Sequence, residues 1–321
     1  MKINPAVPCG FVLDLLLADP AWMPHPVVYM GKAITALEDL LRPRLPKTPK
    51  GELLGGTILA AALPAGTFAV ASGACALAYK LHPKLGFALE TVWCWQALAL
   101  KGLAQESAAV QRELEKGGLP AARKAVGRIV GRDTGNLTTE GVTKAAVETV
   151  AENTSDGVVA PLVFLALGGA PLGFFYKAAN TMDSMLGYTD PPYRDIGLVP
   201  ARMDDVLNYL PARLSALLML AAGGLLRMDF RGGWKIFRRD RYNHASPNSA
   251  QTESVCAGLL GLRLAGDAWY HGTLHKKPYI GDPVREVEAE DIPRACSLLY
   301  GTAVLALALV VCCKILVLVC R

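Results

Sequence analysis

An all-α, polytopic integral membrane fold is predicted, with some helices re-entering or skirting the bilayer and a helical region on the cytoplasmic side. Three observations predict it. Hydrophobic residues make up 52% of the chain and charged residues only 19%, with a positive mean hydropathy, above the usual soluble range. Several runs are free of charge over lengths that suit a bilayer, and no strand-like alternation persists anywhere. No linker, repeat or low-complexity tract divides the 321 residues, so 1–321 reads as one membrane domain.

In chain order, MKINPAVPCGFVLDLLLADP imitates a signal peptide, but Asp14 interrupts its apolar stretch and no small-residue cleavage site follows, so it is expected to be retained. A Pro-rich bend with Asp19 and His25 precedes a short helix. Leu53 to Tyr79 is 27 residues without a charge, more than the roughly 20 that cross a hydrocarbon core. A second span is expected near 85–104. Its apolar part, Leu85 to Leu100, has 16 residues, carries Glu90 and has Trp93 and Trp95 as interface anchors. A third, 297–320, is apolar except for Lys314, which can snorkel outward.

Two other runs are shorter. Val158 to Tyr176 is broken by Gly168-Gly169-Ala170-Pro171, and Leu214 to Leu226 follows Pro211 and Arg213 with only 13 residues. Both read as re-entrant or buried helices. The segments 101–157 and 227–296 carry eight and eleven basic residues, which places both in the cytoplasm. Three complete spans and an N-terminus inside are therefore predicted.

The net charge of +5 is modest, and the basic residues are not interleaved with aromatics. Nucleic acid is excluded as a partner, while anionic small molecules and membrane lipids fit. Eight cysteines without CxxC spacing read as reduced packing residues.

Four clusters could carry chemistry. In NLTTEGVTKAAVETVAEN, Thr138 suits an N-cap, and Glu148, Glu152 and Asp156, four apart, project from nearly one helix face with Asn153 beside them. Such a stripe is commonly a solvated face, but this one runs into VAENTSDGVVAPLVF, where carboxylates facing low dielectric call for a metal or a basic partner. Next, Lys177, Asn180 and Asp183 lie at helical spacing, Arg194-Asp195 follow a Pro-Pro turn, and Arg202 precedes Asp204-Asp205 and Asn208. Structural salt bridges explain that set equally well. Third, Ser246-Pro247-Asn248-Ser249 marks a turn, after which Ser249 or Thr252 is expected to cap a helix bearing Glu253; His244 reads as a turn residue. Asp14, Asp19 and His25 form the fourth. No Walker A, GxGxxG, GxSxG or HExxH motif is present. The residues alone reach a carboxylate- and arginine-rich site for Mg²⁺ and phosphate at a membrane face.

The same segments resemble the adenosylcobinamide-phosphate synthase family. DLLLADPAWMPHPVVYMGK is similar to its opening motif and GRDTGNLTTEGVTKAAVETVAENTSDGVVAPLVF to its central signature. YKAANTMDSMLGYTDPPYRDIG with ARMDDVLNYLPARL, then SPNSAQTESVCAGLLGLRL with YIGD, resemble the later ones. Departures are local, at Ala245 and Ala250-Gln251-Thr252.

The resemblance implies an ATP-dependent carbon–nitrogen ligase joining adenosylcobyric acid, a corrinoid, to an aminoalcohol phosphate, with ATP and Mg²⁺ as cofactors. It implies catalytic roles for Glu148, Glu152, Asp156 and Asp183, and metal ligation by Glu152, Asp183, Asp204 and Asp205. Cofactor contacts would come from Asn153, Lys177, Asn180, Arg194, Arg202, Ser246 and Asn248, with Asp14, Asp19, His25, Asp195, Asn208 and Glu253 in supporting places. The cell membrane, an active site facing the cytoplasm, and association with other late cobalamin-pathway membrane enzymes are implied with it. The competing reading is a non-enzymatic membrane sensor of the related β-lactamase-induction type. A corrinoid transporter is a third, disfavoured because there are too few spans for paired repeats.

Overall fold

The computed structural model describes residues 4–20, 22–270 and 272–320. Twelve α-helices occur among them: α1 (Ala6–Leu16), α2 (Pro26–Leu41), α3 (Pro49–Leu81), α4 (Pro83–Ala97), α5 (Leu100–Arg112), α6 (Gly118–Val126), α7 (Thr139–Asn153), α8 (Ala160–Leu186), α9 (Leu198–Leu225), α10 (Phe230–Asp240), α11 (Ser249–Leu260) and α12 (Asp291–Val319). Short π-helical turns, Glu113–Gly117 and Thr154–Val159, join α5 to α6 and α7 to α8. Four strands, β1 (Leu264–Ala265), β2 (Ala268–Tyr270), β3 (Thr273–His275) and β4 (Tyr279–Ile280), pair antiparallel as β1 with β4 and β2 with β3. At two or three residues each, they are too short to leave an alternating pattern in the sequence. The all-α class stands.

Local chemistry sets several helix starts. His25-Pro26, Thr48-Pro49 and His82-Pro83 each place an accepting side chain at the N-cap and proline at the first helical position, where its missing N–H costs nothing. Thr138 caps α7 as expected, accepting from Gly141 N at 3.1 Å.

Four helical stretches are long and apolar enough to cross a membrane: Pro49–Leu81, Thr139–Leu186, Leu198–Leu225 and Asp291–Val319. Length and composition alone pick these out, and α8, within the second of them, is broken at Gly168 and Gly169. The spans near 53–79 and 297–320 correspond to α3 and α12. The span near 85–104 does not form, because the helix breaks at Leu98 and Ala99, leaving α4 with 15 residues, about 22 Å. The run 214–226 is the end of a longer helix, since helical backbone continues through the polar residues before it.

The chain folds into two compact units, each discontinuous in sequence: Met1–Leu98, Pro161–Asn208 and Cys313–Arg321 make one, and Ala99–Ala160 and Tyr209–Cys312 the other.

In the first unit, α8 is interrupted where the Gly-Gly-Ala-Pro pattern foretells it, with non-helical Gly168 and Gly169, the latter at φ 67°. The chain reverses there. Gly173 lies so close to Leu165 that a Cβ on it would collide with Leu165 Cδ2, a proximity an unbroken helix forbids. The reversal is packed against buried Glu90, whose carboxylate accepts from Asn4 Nδ2 at 2.7 Å and from Tyr79 OH at 2.8 Å. A Cβ at residue 169 would collide with Glu90 Oε1, so glycine is required by both φ and space. At its other end, α8 returns to the start of α3: the carbonyl oxygen of Ile196, just beyond α8, occupies the space that a Cβ on Gly56 would need, and Arg42 donates to Pro192 O at 3.1 Å.

In the second unit, α11 is the core: all twelve of its residues are buried. It crosses α10 at bare backbone, with Gly258 against Gly232 and Gly233. The YIGD segment closes over it. Gly281, at φ 89°, donates to Asp240 Oδ2 at 2.8 Å, and Arg239 links Asp240 to Asp282.

Candidate functional site

Two polar clusters lie within these units. In the first unit, Tyr176 OH donates to Asn208 Oδ1 at 2.8 Å, and Asn208 Nδ2 donates to Asp204 Oδ2 at 2.9 Å. Asn180 Nδ2 donates to Asp204 Oδ1 at 3.2 Å. The helical spacing that groups Asn180 with Lys177 and Asp183 thus brings one member of that stripe to Asp204 of α9. Asp205 instead faces Arg202 across 3.7 Å, and that arginine side chain is 74% exposed. Arg194 is exposed in the loop after the cis Pro191–Pro192 bond, and Asp195 lines a surface cavity with Arg42, Lys47, Thr48 and Glu52. Asp183 ends α8, with its carbonyl accepting from Gly187 N at 2.7 Å. Asp14 is buried on α1. His25 Nε2 lies 3.5 Å from Asp19, and His25 Nδ1 accepts from Val27 N.

In the second unit, a cavity of about 140 Å³ is lined by Arg132, Glu148, Glu152, Asn153, His244, Glu253, Tyr270 and Lys277, with backbone at Gly131, Ala265 and Gly266. Three carboxylates and two cations therefore share one small, mostly buried space. Both Glu148 oxygens are engaged: Oε2 pairs with Arg132, and Oε1 accepts from Ala265 N at 2.7 Å, which ties α7 to β1. Glu152 Oε1 accepts from Ser249 Oγ at 2.7 Å. Burial raises the Glu253 carboxyl well above the ordinary range, and the negative charges of Glu152 and Glu148 raise it further. The neutral form of Glu253 is thereby favoured. Burial lowers the His244 imidazole despite the pull of Glu152. His244 Nδ1 accepts from Ser246 N at 3.1 Å, so the neutral ring carries its proton on Nε2 and serves as a donor.

Two expectations change here. Asp156 does not line this cavity with Glu148 and Glu152. It falls in the π-helical turn Thr154–Val159, whose wider winding carries the next i+4 position off the stripe. Neither Ser249 nor Thr252 caps α11. Asn248 precedes the helix without a side-chain cap; its Oδ1 accepts from Arg213 at 3.1 Å, and its N donates to Ser246 Oγ at 3.2 Å. Ser249 is occupied by Glu152, and Thr252 by the Ser249 carbonyl.

Of the expected metal set, Glu152 belongs to the second unit and Asp183, Asp204 and Asp205 belong to the first. Among the described residues, no group of three or more His, Cys, Asp or Glu is arranged to hold a metal ion. Sequence reasoning missed Arg132 and Lys277. Arg132 stood inside the GRDTGN signature, next to a stripe that needed a cation; Lys277 carried no local signal.

No solved structure matches the chain. The family model described as CobD/Cbib protein matches residues 7–299. The cobalamin biosynthesis protein CbiB of Salmonella typhimurium is 46% identical over 305 residues, 94% of each chain. Cobalamin biosynthesis protein CobD of Klebsiella pneumoniae is 46% identical over 304 residues, again 94% of each, and CobD of Clostridium perfringens 43% over 290 residues, 90% of this chain and 91% of that one. With nearly its whole length matched by the model and by each of these relatives, the chain belongs to the CobD/CbiB family.

Proposed function

We propose that this membrane protein is the ATP-dependent ligase that joins adenosylcobyric acid to (R)-1-amino-2-propanol phosphate, or a related aminoalcohol, to give adenosylcobinamide phosphate. A role in cobalamin biosynthesis follows from family membership and the relatives' names; the reaction is our reading. The observation that carries it is the gathering of Glu148, Glu152 and Glu253 with Arg132 and Lys277 in one cavity. A space of 140 Å³ holds about four or five water volumes, so it suits a reacting phosphoryl or carboxyl group rather than a corrin ring.

A free carboxylate resists amines because its leaving group is oxide. Phosphoryl transfer from ATP to the substrate carboxylate makes an acyl phosphate; amine attack then releases phosphate and forms the amide. The donor set fits this. Arg132 and Lys277 suit phosphate oxygens, with Arg132 held for the purpose by Glu148. Mg²⁺ bound with a nucleotide takes only one or two protein carboxylates, so the absence of a three-ligand cage is no obstacle. Glu152 would hold it, and its chemistry there is to neutralise phosphate charge. The attacking amine must lose a proton, and an ionised carboxylate of this cavity would take it. His244 Nε2–H would donate to an oxygen of the bound group in the same cavity. A sensor would have no use for so many coupled acids in so little volume.

The test is incubation of the purified, detergent-solubilised protein with adenosylcobyric acid, Mg²⁺-ATP and candidate aminoalcohols. Amide of the expected mass, formed only with ATP present, is the result expected. No amide with any amine, under conditions where the protein is folded, overturns the reading.

A further inference from the structure

We propose an anionic phospholipid site at the beginning of α12. A cavity of about 760 Å³ in the second unit lies between α5 and the first three turns of α12 and opens to the surface. Its polar wall carries Lys101, Arg112 and Arg128 with one carboxylate, Glu106, and its apolar wall Ala104, Ile292 and Cys296. Arg128 is paired with Glu106 at 3.0 Å, whereas Lys101 and Arg112 have no ion-pair partner among the described residues. Two uncompensated cations thus face one hollow.

The position of that hollow along α12 decides what fills it. Between Arg294 and Lys314 the helix has no charge, and those 19 residues rise about 28 Å, close to one hydrocarbon thickness. Only 17% of its most apolar window is buried inside the protein, the smallest share among the four long apolar stretches, so α12 meets lipid over most of its surface. Cys296 and Tyr300 stand near the start of the charge-free run and Ile292 just before it, the level of glycerol and headgroup, with Tyr300 an aromatic suited to that depth. A phosphodiester there neutralises Lys101 and Arg112, and the first methylenes of its chains cover the apolar wall. A soluble anion would satisfy the cations but leave that wall wet, and a zwitterionic lipid brings its own cation to the arginine. The occupant assigned is therefore a lipid with net negative charge. This rests on α12 crossing the bilayer and is independent of the ligation chemistry, so failure of the ligase assay leaves it standing.

The experiment is a competition. The full-length protein is delipidated in detergent and offered phosphatidylglycerol and phosphatidylcholine at equal mole fraction, and bound lipid is counted by native mass spectrometry at low salt. Wild type is expected to prefer phosphatidylglycerol. Lys101→Gln and Arg112→Gln should each reduce that preference about fivefold, and the double variant about 25-fold, from the usual strength of one basic residue at an anionic membrane surface. Equal retention of both lipids by wild type overturns the proposal, as does an unchanged preference in a folded double variant. Displacement of the lipid by inorganic phosphate at millimolar concentration overturns it too, by assigning the pocket to a soluble anion. Should the variants not fold, a salt titration of wild type decides. A preference that shrinks between about 50 mM and about 500 mM salt supports the site, and one that stays constant refutes it.

Discussion

Replacing Glu253 with glutamine should make the protein more stable as pH rises, and the size of the gain can be worked out. Glu253 is 5% exposed on a wholly buried helix, and its carboxyl in the fold is held well above the unfolded value of 4.5, by burial first and then by Glu152 and Glu148. The fold therefore binds that proton more tightly than the unfolded chain does. Its contribution is fully present below about pH 4.5 and is lost progressively as pH climbs toward the folded value. The steepest loss one proton can produce is about 1.4 kcal/mol per pH unit, or about 2.7 kcal/mol between pH 5 and 7. A glutamine side chain keeps the shape and cannot ionise, so Glu253→Gln should gain up to that amount on wild type across the interval. Denaturant unfolding of the solubilised protein at pH 5, 6 and 7 measures it. Parallel stability profiles for the two proteins would refute the coupling among these carboxylates. Because the glutamine imitates a neutral acid, the variant should also lose far less ligase rate than a Glu152 variant.

Glu152→Gln should lower ligation by on the order of 10²-fold or more while leaving the inserted fold intact; near-normal turnover removes that residue from the chemistry. Arg132→Ala leaves Glu148 buried opposite no guanidinium and should cost about 3–5 kcal/mol of stability, and a loss under about 1 kcal/mol in denaturant unfolding contradicts the role given to that pair. A cysteine at Thr189, in a background without native cysteines, should resist an impermeant thiol reagent in intact cells and react after lysis. Its loop meets the start of α3, where Arg42, Arg44, Lys47 and Lys50 precede the span on the side that favours positive charge. Labelling of intact cells reverses that orientation.

Features that depend on neighbouring residues were legible before any coordinates. The Thr138 cap, the charge-free runs of α3 and α12 and the Gly168-Gly169 reversal are local, and each appears where its residues imply. The failures also have physical causes. A count of apolar residues across 85–104 does not register the break at Leu98, because nothing in those residue types forbids continuation. The carboxylate stripe was read with α-helical winding, and a single π turn sufficed to remove Asp156. The cavity's cations come from 16 residues before Glu148, at Arg132, and from the strand region after α11, at Lys277. Long-range folding brings them together, and no spacing rule reports it.

The complete burial of α11 has a consequence for when the site acquires its order. A helix with no exposed residue cannot open alone, so its amide protons should exchange with solvent only when the whole second unit unfolds. Ser249 and Glu253, and through Ser249 the carboxylate of Glu152, are consequently fixed in place as the chain matures. The entropy of aligning those groups is spent during folding, and substrates arriving later meet a floor that is already set.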